Sequence, residues 1–153
     1  MIKKLDESYY SELYSLEEEI FSYHQKMRPD LFKEIPFSKE IYHTLVHHDQ
    51  YAIYGYFLEE ELVGVIYVNK RENFYYIDDI VVKSIYQNQG IASTLFKYVE
   101  QMALKEGIDR IELDVWSFNE KAIEFYQKNG YTPKTIRYEK ILKKERKNGA
   151  ASE

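Results

Sequence analysis

Cysteine is absent from the 153-residue chain. Its absence excludes a disulfide scaffold, a thiol nucleophile and any Cys-based zinc or iron–sulfur site. Proline and glycine are sparse, at three and six residues, and neither gathers into a linker or an internal repeat. No stretch approaches the roughly 18 consecutive apolar residues of a spanning helix, so no membrane association is expected. An excess of positive charge is missing too: 21 basic residues stand against 26 acidic ones, a net −5 at pH 7. That argues against a polyanion-binding surface, and no nucleic-acid partner is expected. The run Met1-Ile2-Lys3-Lys4-Leu5-Asp6 meets an acidic residue before any apolar stretch, so it does not read as a signal peptide and a cytoplasmic protein is expected.

The length suits one domain, because a chain of about 150 residues buries roughly 70% of the surface it exposes when unfolded. The expected organisation is a single domain over residues 1–143 and a charged, frayed tail over 144–153. What the chain does have is aromatic side chains, 16% of all residues, with 16 Tyr. Tyr joins a large apolar body to one polar end, which suits half-buried strands and pocket walls.

Residues 1–5 read as a short first strand. From about Ser8 to Met27, the residues Leu13, Leu16, Ile20, Tyr23 and Met27 recur at helical steps. That face leaves Glu12, Glu17, Glu18 and Glu19 largely on the solvent side. Pro29 ends the helix, and Ser38 suits the N-cap of a shorter one carrying Ile41, Leu45 and Val46. Three strand-like runs follow, Tyr51–Leu58, Leu62–Val68 and Phe74–Val82, the first two as an antiparallel hairpin. The third is apolar except for Asp78 and Asp79 at its centre, and carboxylates inside a strand buried on both faces need an explanation. A helical period then runs from Ile91 to Ala103 and closes at Gly107. Arg110–Trp116 reads as a strand, Asn119 opens a helix that Gly130 ends, and a last strand is expected at about Thr135–Leu142. This order, β-αα-βββ-α-β-α-β, is that of an α/β domain with a mixed sheet.

The junction Val82-Lys83-Ser84-Ile85-Tyr86-Gln87-Asn88-Gln89-Gly90-Ile91-Ala92 is a strand, a short polar loop and a helix start. Backbone N–H groups converge at such a place, and the helix dipole adds about half a positive charge, which suits a phosphate. Gly90 and the small Ala92 let a ligand come close to the backbone. An ordinary strand-to-helix turn has the same pattern. Neither a Walker lysine nor the three dinucleotide glycines are present.

Gln87-x-x-Gly90-x-Ala92 resembles the Gln/Arg-x-x-Gly-x-Gly/Ala signature of the GNAT N-acetyltransferases. Leu113-Asp-Val-Trp-Ser-Phe-Asn119, continuing through Tyr126 to Gly130-Tyr131, is similar to that family's second acetyl-CoA segment. The resemblance is close over residues 74–133 and extends through element order to the rest. His24 to Lys33, with Arg28-Pro-Asp-Leu-Phe32, also looks like a segment of bacterial members of unassigned substrate. The resemblance implies a GNAT fold: a mixed sheet of about six to seven strands flanked by about four helices. The sheet would splay between the Asp78 strand and the Arg110–Trp116 strand, with acetyl-CoA as cosubstrate in the gap. The cofactor-binding residues implied are Ile80, Val82, Gln87, Asn88, Gln89, Gly90, Ile91, Ala92, Ser93, Asn119 and Tyr126. Gln87 stands where many members carry Arg, so backbone donors must hold more of the pyrophosphate, with Lys83 or Lys121 helping.

The implied activity is acetyl transfer to a primary amine, of a small molecule or a peptide or protein N-terminus, directly within a ternary complex. A cysteine acyl-enzyme is ruled out. Tyr126, seven residues after Asn119 and on the same helical face, is implied as the donor to the departing thiolate. Asn119 is implied at the pantetheine arm, although an N-cap alone would also explain it. A carboxylate must take the ammonium proton. Asp78 ranks first, on its similarity to the acidic pair of spermidine-type acetyltransferases. Asp114 follows, where ribosomal-protein alanine acetyltransferases carry Glu, and Asp79 is third. Pairing with Lys or Arg is the bland alternative for all of them. Neighbours on a strand, Asp78 and Asp79 should lie on opposite faces.

The competing function is a non-catalytic acyl-CoA-binding module. The acceptor has no transferable code, although the acidic balance favours a cationic one. No metal is expected: His43 and His47 are four apart, with His48 and Asp49 beyond, but there is no His-Glu-x-x-His, so they read as a solvated helix face. The oligomeric state stays open, a homodimer included.

Overall fold

The computed structural model describes residues 1–143; the tail expected over 144–153 lies outside the described residues. The chain begins in β1 (Ile2–Lys4), and Asp6 caps a 3₁₀ turn at Glu7–Tyr9 by accepting the Ser8 N–H at 2.9 Å. Helix α1 (Tyr10–Met27) buries Leu13 and Leu16, and α2 (Lys39–Val46) opens at Ser38, whose hydroxyl accepts the Ile41 N–H at 3.1 Å. Strands β2 (Tyr51–Leu58), β3 (Glu61–Lys70) and β4 (Tyr75–Val82) form the expected meander. Then come α3 (Ile91–Lys105), β5 (Ile111–Leu113) and α4 (Glu120–Lys128).

Among the described residues the sheet has five strands, in chain order. The first three junctions are antiparallel and β4–β5 is parallel, so the sheet is mixed. It is smaller than the expected six to seven strands. Residues 135–142 form no ladder, and Ile136, Tyr138, Ile141 and Leu142 all stand exposed. With no neighbouring strand to pair and no face to bury, β propensity alone does not make a strand. Arg110–Trp116 likewise shrinks to β5, because β4 is in register with it only from Tyr75 to Ile77.

Each face of the sheet has its own core. On one, Leu13, Leu16 and Tyr42 from α1 and α2 pack on Ile53, Val65, Tyr67 and Val81. On the other, Leu95, Phe96 and Val99 of α3 pack on Ile66, Val68 and Ile77, with Phe125 and Tyr126 of α4 alongside.

One irregularity shapes the site. Tyr67 is opposite Asp79, yet the next residue, Val68, is opposite Ile77. Asp78 is therefore the extra residue of a β-bulge. In a regular strand Tyr75, Ile77, Asp79 and Val81 would share a face. The bulge instead leaves Tyr75 and Ile77 in the α3 core and turns Val81 into the α1 core. The β4–β5 ladder ends at Ile77–Leu113, beside the same bulge, and the sheet opens there.

Candidate active site

The bulge corrects one expectation directly: Asp78 and Asp79 do not point to opposite faces. The Tyr51 hydroxyl, on the α1 side, donates to Asp78 Oδ2 at 2.5 Å. Asp79 is opposite Tyr67, on that same side. Asp78 is exposed, whereas Asp79 is half-buried and its carboxyl lies deep. Its Oδ1 accepts the Ile80 N–H at 2.9 Å.

A third carboxyl joins them. Glu12, Glu18 and Glu19 are exposed as the helical pattern predicts, but Glu17 is mostly buried. It sits four residues after Leu13 and three before Ile20, inside the stripe that faces the sheet. That spacing is the sequence signal for its burial, against the polarity of Glu. The Glu17 and Asp79 carboxyl groups lie within hydrogen-bond reach of each other. Burial, and then the charge of Asp79, pushes Glu17 up to about 10. Burial also raises Asp79, against the lowering effect of its hydrogen bonds with Glu17 and the Ile80 N–H.

Tyr126 reaches the opening from α4. Its ring packs edge-on against Phe96 and Tyr131, and burial, followed by the charge of Asp79, pushes its phenol up to about 12. A protonated phenol and a deep carboxyl thus lie near enough for the charge of one to act on the other. Asp114 is further out: it is exposed, and the Tyr76 hydroxyl donates to its Oδ2. Asn119 is the N-cap of α4, its amide oxygen accepting the Ala122 N–H at 3.2 Å.

The loop before α3 has the form an anion site needs. Gly90 has φ +81° and Asn88 φ +65°, and no side chain caps α3. A Cβ on Gly90 would meet nothing within 4 Å, so the approach to the first-turn N–H groups of Ile91, Ala92 and Ser93 is open. Those N–H groups have no partner within the helix and suit pyrophosphate oxygens. The side chains contribute less than expected. Gln87 Nε2 donates back to the Val82 carbonyl at 3.2 Å, and Lys83 pairs with Glu61 at 2.8 Å. The Ser93 hydroxyl donates to Asn129 at 3.4 Å, and the Ile91 side chain is core. Asn88, Gln89 and Lys121 are exposed; Ile80 and Val82 are half-buried against the α3 core. Glu19 of α1 holds the loop, accepting the Ser84 N–H at 3.0 Å.

Beyond the carboxyl groups lies an aromatic cluster. His24, seven residues after Glu17 on the same face of α1, packs on Phe32 and Phe118 at ring distances of 5.1 and 5.7 Å. Phe32 meets Trp116, which stacks on Phe118. Burial lowers the His24 pKa. Arg28 binds Asp30 and Glu139, both at under 3 Å, so the Arg-Pro-Asp turn is tied to the C-terminal segment. His43 and His47 are exposed as expected, and Glu7 joins them at 2.6 and 3.2 Å.

Comparison with known proteins accords with this geometry. The chain matches the acetyltransferase (GNAT) family over residues 10–131. It belongs to the GNAT acetyltransferase family. Among curated relatives, streptothricin acetyltransferase of Escherichia coli is 34% identical over 82 residues, 53% of this chain and 47% of that protein. Thialysine N-epsilon-acetyltransferase of Bos taurus is 32% identical over 118 residues, 69% of this chain and 62% of the relative. The matches thus span about half to three-fifths of these relatives' lengths. The fold recurs in the BH1408 protein from Bacillus halodurans, with TM-score 0.88, 22% identity, and 93% of this chain and 99% of that one covered. It recurs too in the PaiA N-acetyltransferase of Thermoplasma acidophilum, solved with coenzyme A, at TM-score 0.78 and 21% identity over 90% and 92% of the chains. No helix among the described residues is long and apolar enough to cross a membrane.

Proposed function

We propose that this protein is an acetyl-CoA-dependent N-acetyltransferase that acts on a primary amine by direct transfer. The observation that supports the reading is that the β4–β5 ladder stops at Ile77–Leu113, just before Asp79, with Tyr126 near enough for the Asp79 charge to act on its phenol. Acyl transfer needs a base for the ammonium and an acid for the departing thiolate on two sides of one carbonyl. The loop at Gln87–Gly90 and the start of α3 would hold the pyrophosphate, and Asn119 would line the pantetheine arm. Asp79 becomes the first choice of base, ahead of Asp78 and Asp114, because it alone of the three acts on Tyr126. Asp78 and Asp114, each holding a Tyr hydroxyl, would steer a cationic acceptor inward. The bovine relative is named for acetylating an amine, Nε of thialysine, which supports that acceptor class. The aromatic faces of Phe32, Trp116 and Phe118 suit an alkyl ammonium compound. A cytoplasmic setting, where acetyl-CoA is supplied, fits the reading.

The test is acetyl-CoA consumption with thialysine, lysine, polyamines, aminoglycosides and peptides of varied N-termini. With a working amine, Asp79→Asn should lower turnover about 100-fold or more, and Asp78→Asn less than about 10-fold. Equal losses would return Asp78 to candidacy. Tight coenzyme A binding without turnover on any amine would favour the non-catalytic acyl-CoA module.

A further inference from the structure

We infer that Glu17 and Asp79 hold a single proton between them, and that Glu17 is the positioning residue that keeps Asp79 as the one charged oxygen facing the acceptor. The inference rests on the acetyltransferase reading and deepens it by adding a residue from α1 to the base.

The geometry leaves little choice. Two carboxyl groups meet in a mostly buried space, and neither can donate to the other unless one is protonated. The groups that face them are Tyr51 from β2, Tyr67 from β3, Asp78 from β4 and, toward Asp79, Tyr126 from α4. None of these is basic, and Asp78 adds repulsion. Like charges that close do not both ionise, as in carboxylate dyads generally. The proton belongs on Glu17. Burial raises both groups, but Asp79 accepts the Ile80 N–H and a hydrogen bond from Glu17, which favour its charged form, whereas the bond between the two favours the neutral form of Glu17.

A second observation comes from Tyr67. Its ring is 4% exposed and its hydroxyl is buried without a partner, as is Glu17 Oε2. The two orphan atoms lie in one neighbourhood, since Glu17 and Asp79 are the first two charges acting on the Tyr67 phenol. Unsatisfied buried polar atoms are rare and point to a missing partner. A water joining the Tyr67 hydroxyl to Glu17 Oε2 would complete a chain Tyr67–water–Glu17–Asp79 that ends at the opening.

The proton balance follows. The acceptor ammonium gives one proton to the Asp79 carboxylate, and the pair goes from one negative charge to none. The freed nitrogen lone pair attacks the acetyl carbonyl, the C–N bond forms, and the C–S electrons leave on sulfur. Tyr126 donates to that thiolate, and the second N–H proton replaces the one it gave. The pair returns its proton to solvent as the amide leaves.

The test compares Glu17→Gln, Glu17→Leu and Asp79→Asn with the wild type, using one acceptor. Gln keeps a donor but cannot ionise, so Glu17→Gln should turn over within about 3-fold of wild type at pH 7 and lose the part of the alkaline limb that belongs to Glu17. Glu17→Leu should fall about 10–100-fold with an acid limb displaced upward, and Asp79→Asn should fall at least as far. Coenzyme A affinity, measured by calorimetry, should be unchanged in all three. Identical pH profiles for wild type and Glu17→Gln would overturn the inference, as would a loss in Glu17→Gln as large as in Asp79→Asn. A readout independent of turnover is the carboxyl ¹³C titration of the free protein. The Glu17 signal should stay in its protonated form through pH 7, and titration in the ordinary carboxylate range would overturn the shared proton whether or not any amine is acetylated. Failure of every amine with the Glu17 proton in place would count against the acetyltransferase reading alone.

Discussion

Tyr126 carries the burden of separating an enzyme from a binding module at the scale of one residue. Its phenol is held protonated well beyond neutral pH by burial and by Asp79, and the ring is packed on three aromatic neighbours, Phe96, Phe125 and Tyr131. Tyr126→Phe keeps that packing and removes one hydrogen-bond donor. A thiolate is a good leaving group, so turnover should drop at the low end of general acid assistance, about 10–100-fold, with coenzyme A affinity nearly unchanged. Steady-state rates beside a calorimetric titration decide it. A parallel fall in both would make Tyr126 a binding residue, and equal turnover would remove it from the mechanism. Asn119 shows the other side of residue-level reading: both roles considered for it needed the same position, and the structure displays the cap.

Elements, more than side chains, build the anion site. Because Gln87 and Lys83 are engaged elsewhere, the proposed site would rely on the positive end of α3 and the left-handed turn at Asn88 and Gly90. Gly90→Val places a branched residue at φ +81°, which costs about 1–2 kcal/mol of backbone strain in any context, and puts methyl groups over the N–H cluster. Gly107 has nearly the same φ, +82°, beyond the other end of α3. Gly107→Val should therefore lose similar stability and bind coenzyme A normally, while Gly90→Val should weaken binding at least about 10-fold. Matching dissociation constants for the two variants would place the cofactor elsewhere. The start of α2, the hairpin and the helix ends at Gly107 and Gly130 were readable because each depends on a few consecutive residues. The bulge at Asp78 was not, since an extra residue is defined only by the partner strand it fails to match. The same holds for residues 135–142, where alternation promised a strand that has no neighbour.

At the scale of the whole molecule, the buried carboxyl pair should be visible in stability. Glu17 is raised from 4.5 to about 10 in the folded state, so the folded protein binds more protons than the unfolded chain across that interval. Its contribution is complete below about pH 4.5 and is lost as pH climbs toward 10. His24, lowered by burial, works in the opposite direction but only up to its ordinary range near 6.5. Between about pH 7.5 and 9, then, Tm should fall with rising pH in the wild type and fall less in Glu17→Gln. Parallel curves would show that Glu17 ionises alike in both states.

By itself the sequence determined an α/β domain with a mixed sheet, the strand-loop-helix junction around Gly90 and the helix bearing Asn119 and Tyr126. Those features follow from local periods, turn residues and spacing within single elements. Tertiary structure alone decided which carboxyl groups meet. Glu17 and Asp79 are 62 positions apart, and they meet because Leu13 and Leu16 seat α1 on the sheet while the bulge turns Asp79 toward it. Side-chain direction at a bulge and burial across two elements are properties of packing, which no window along the chain contains.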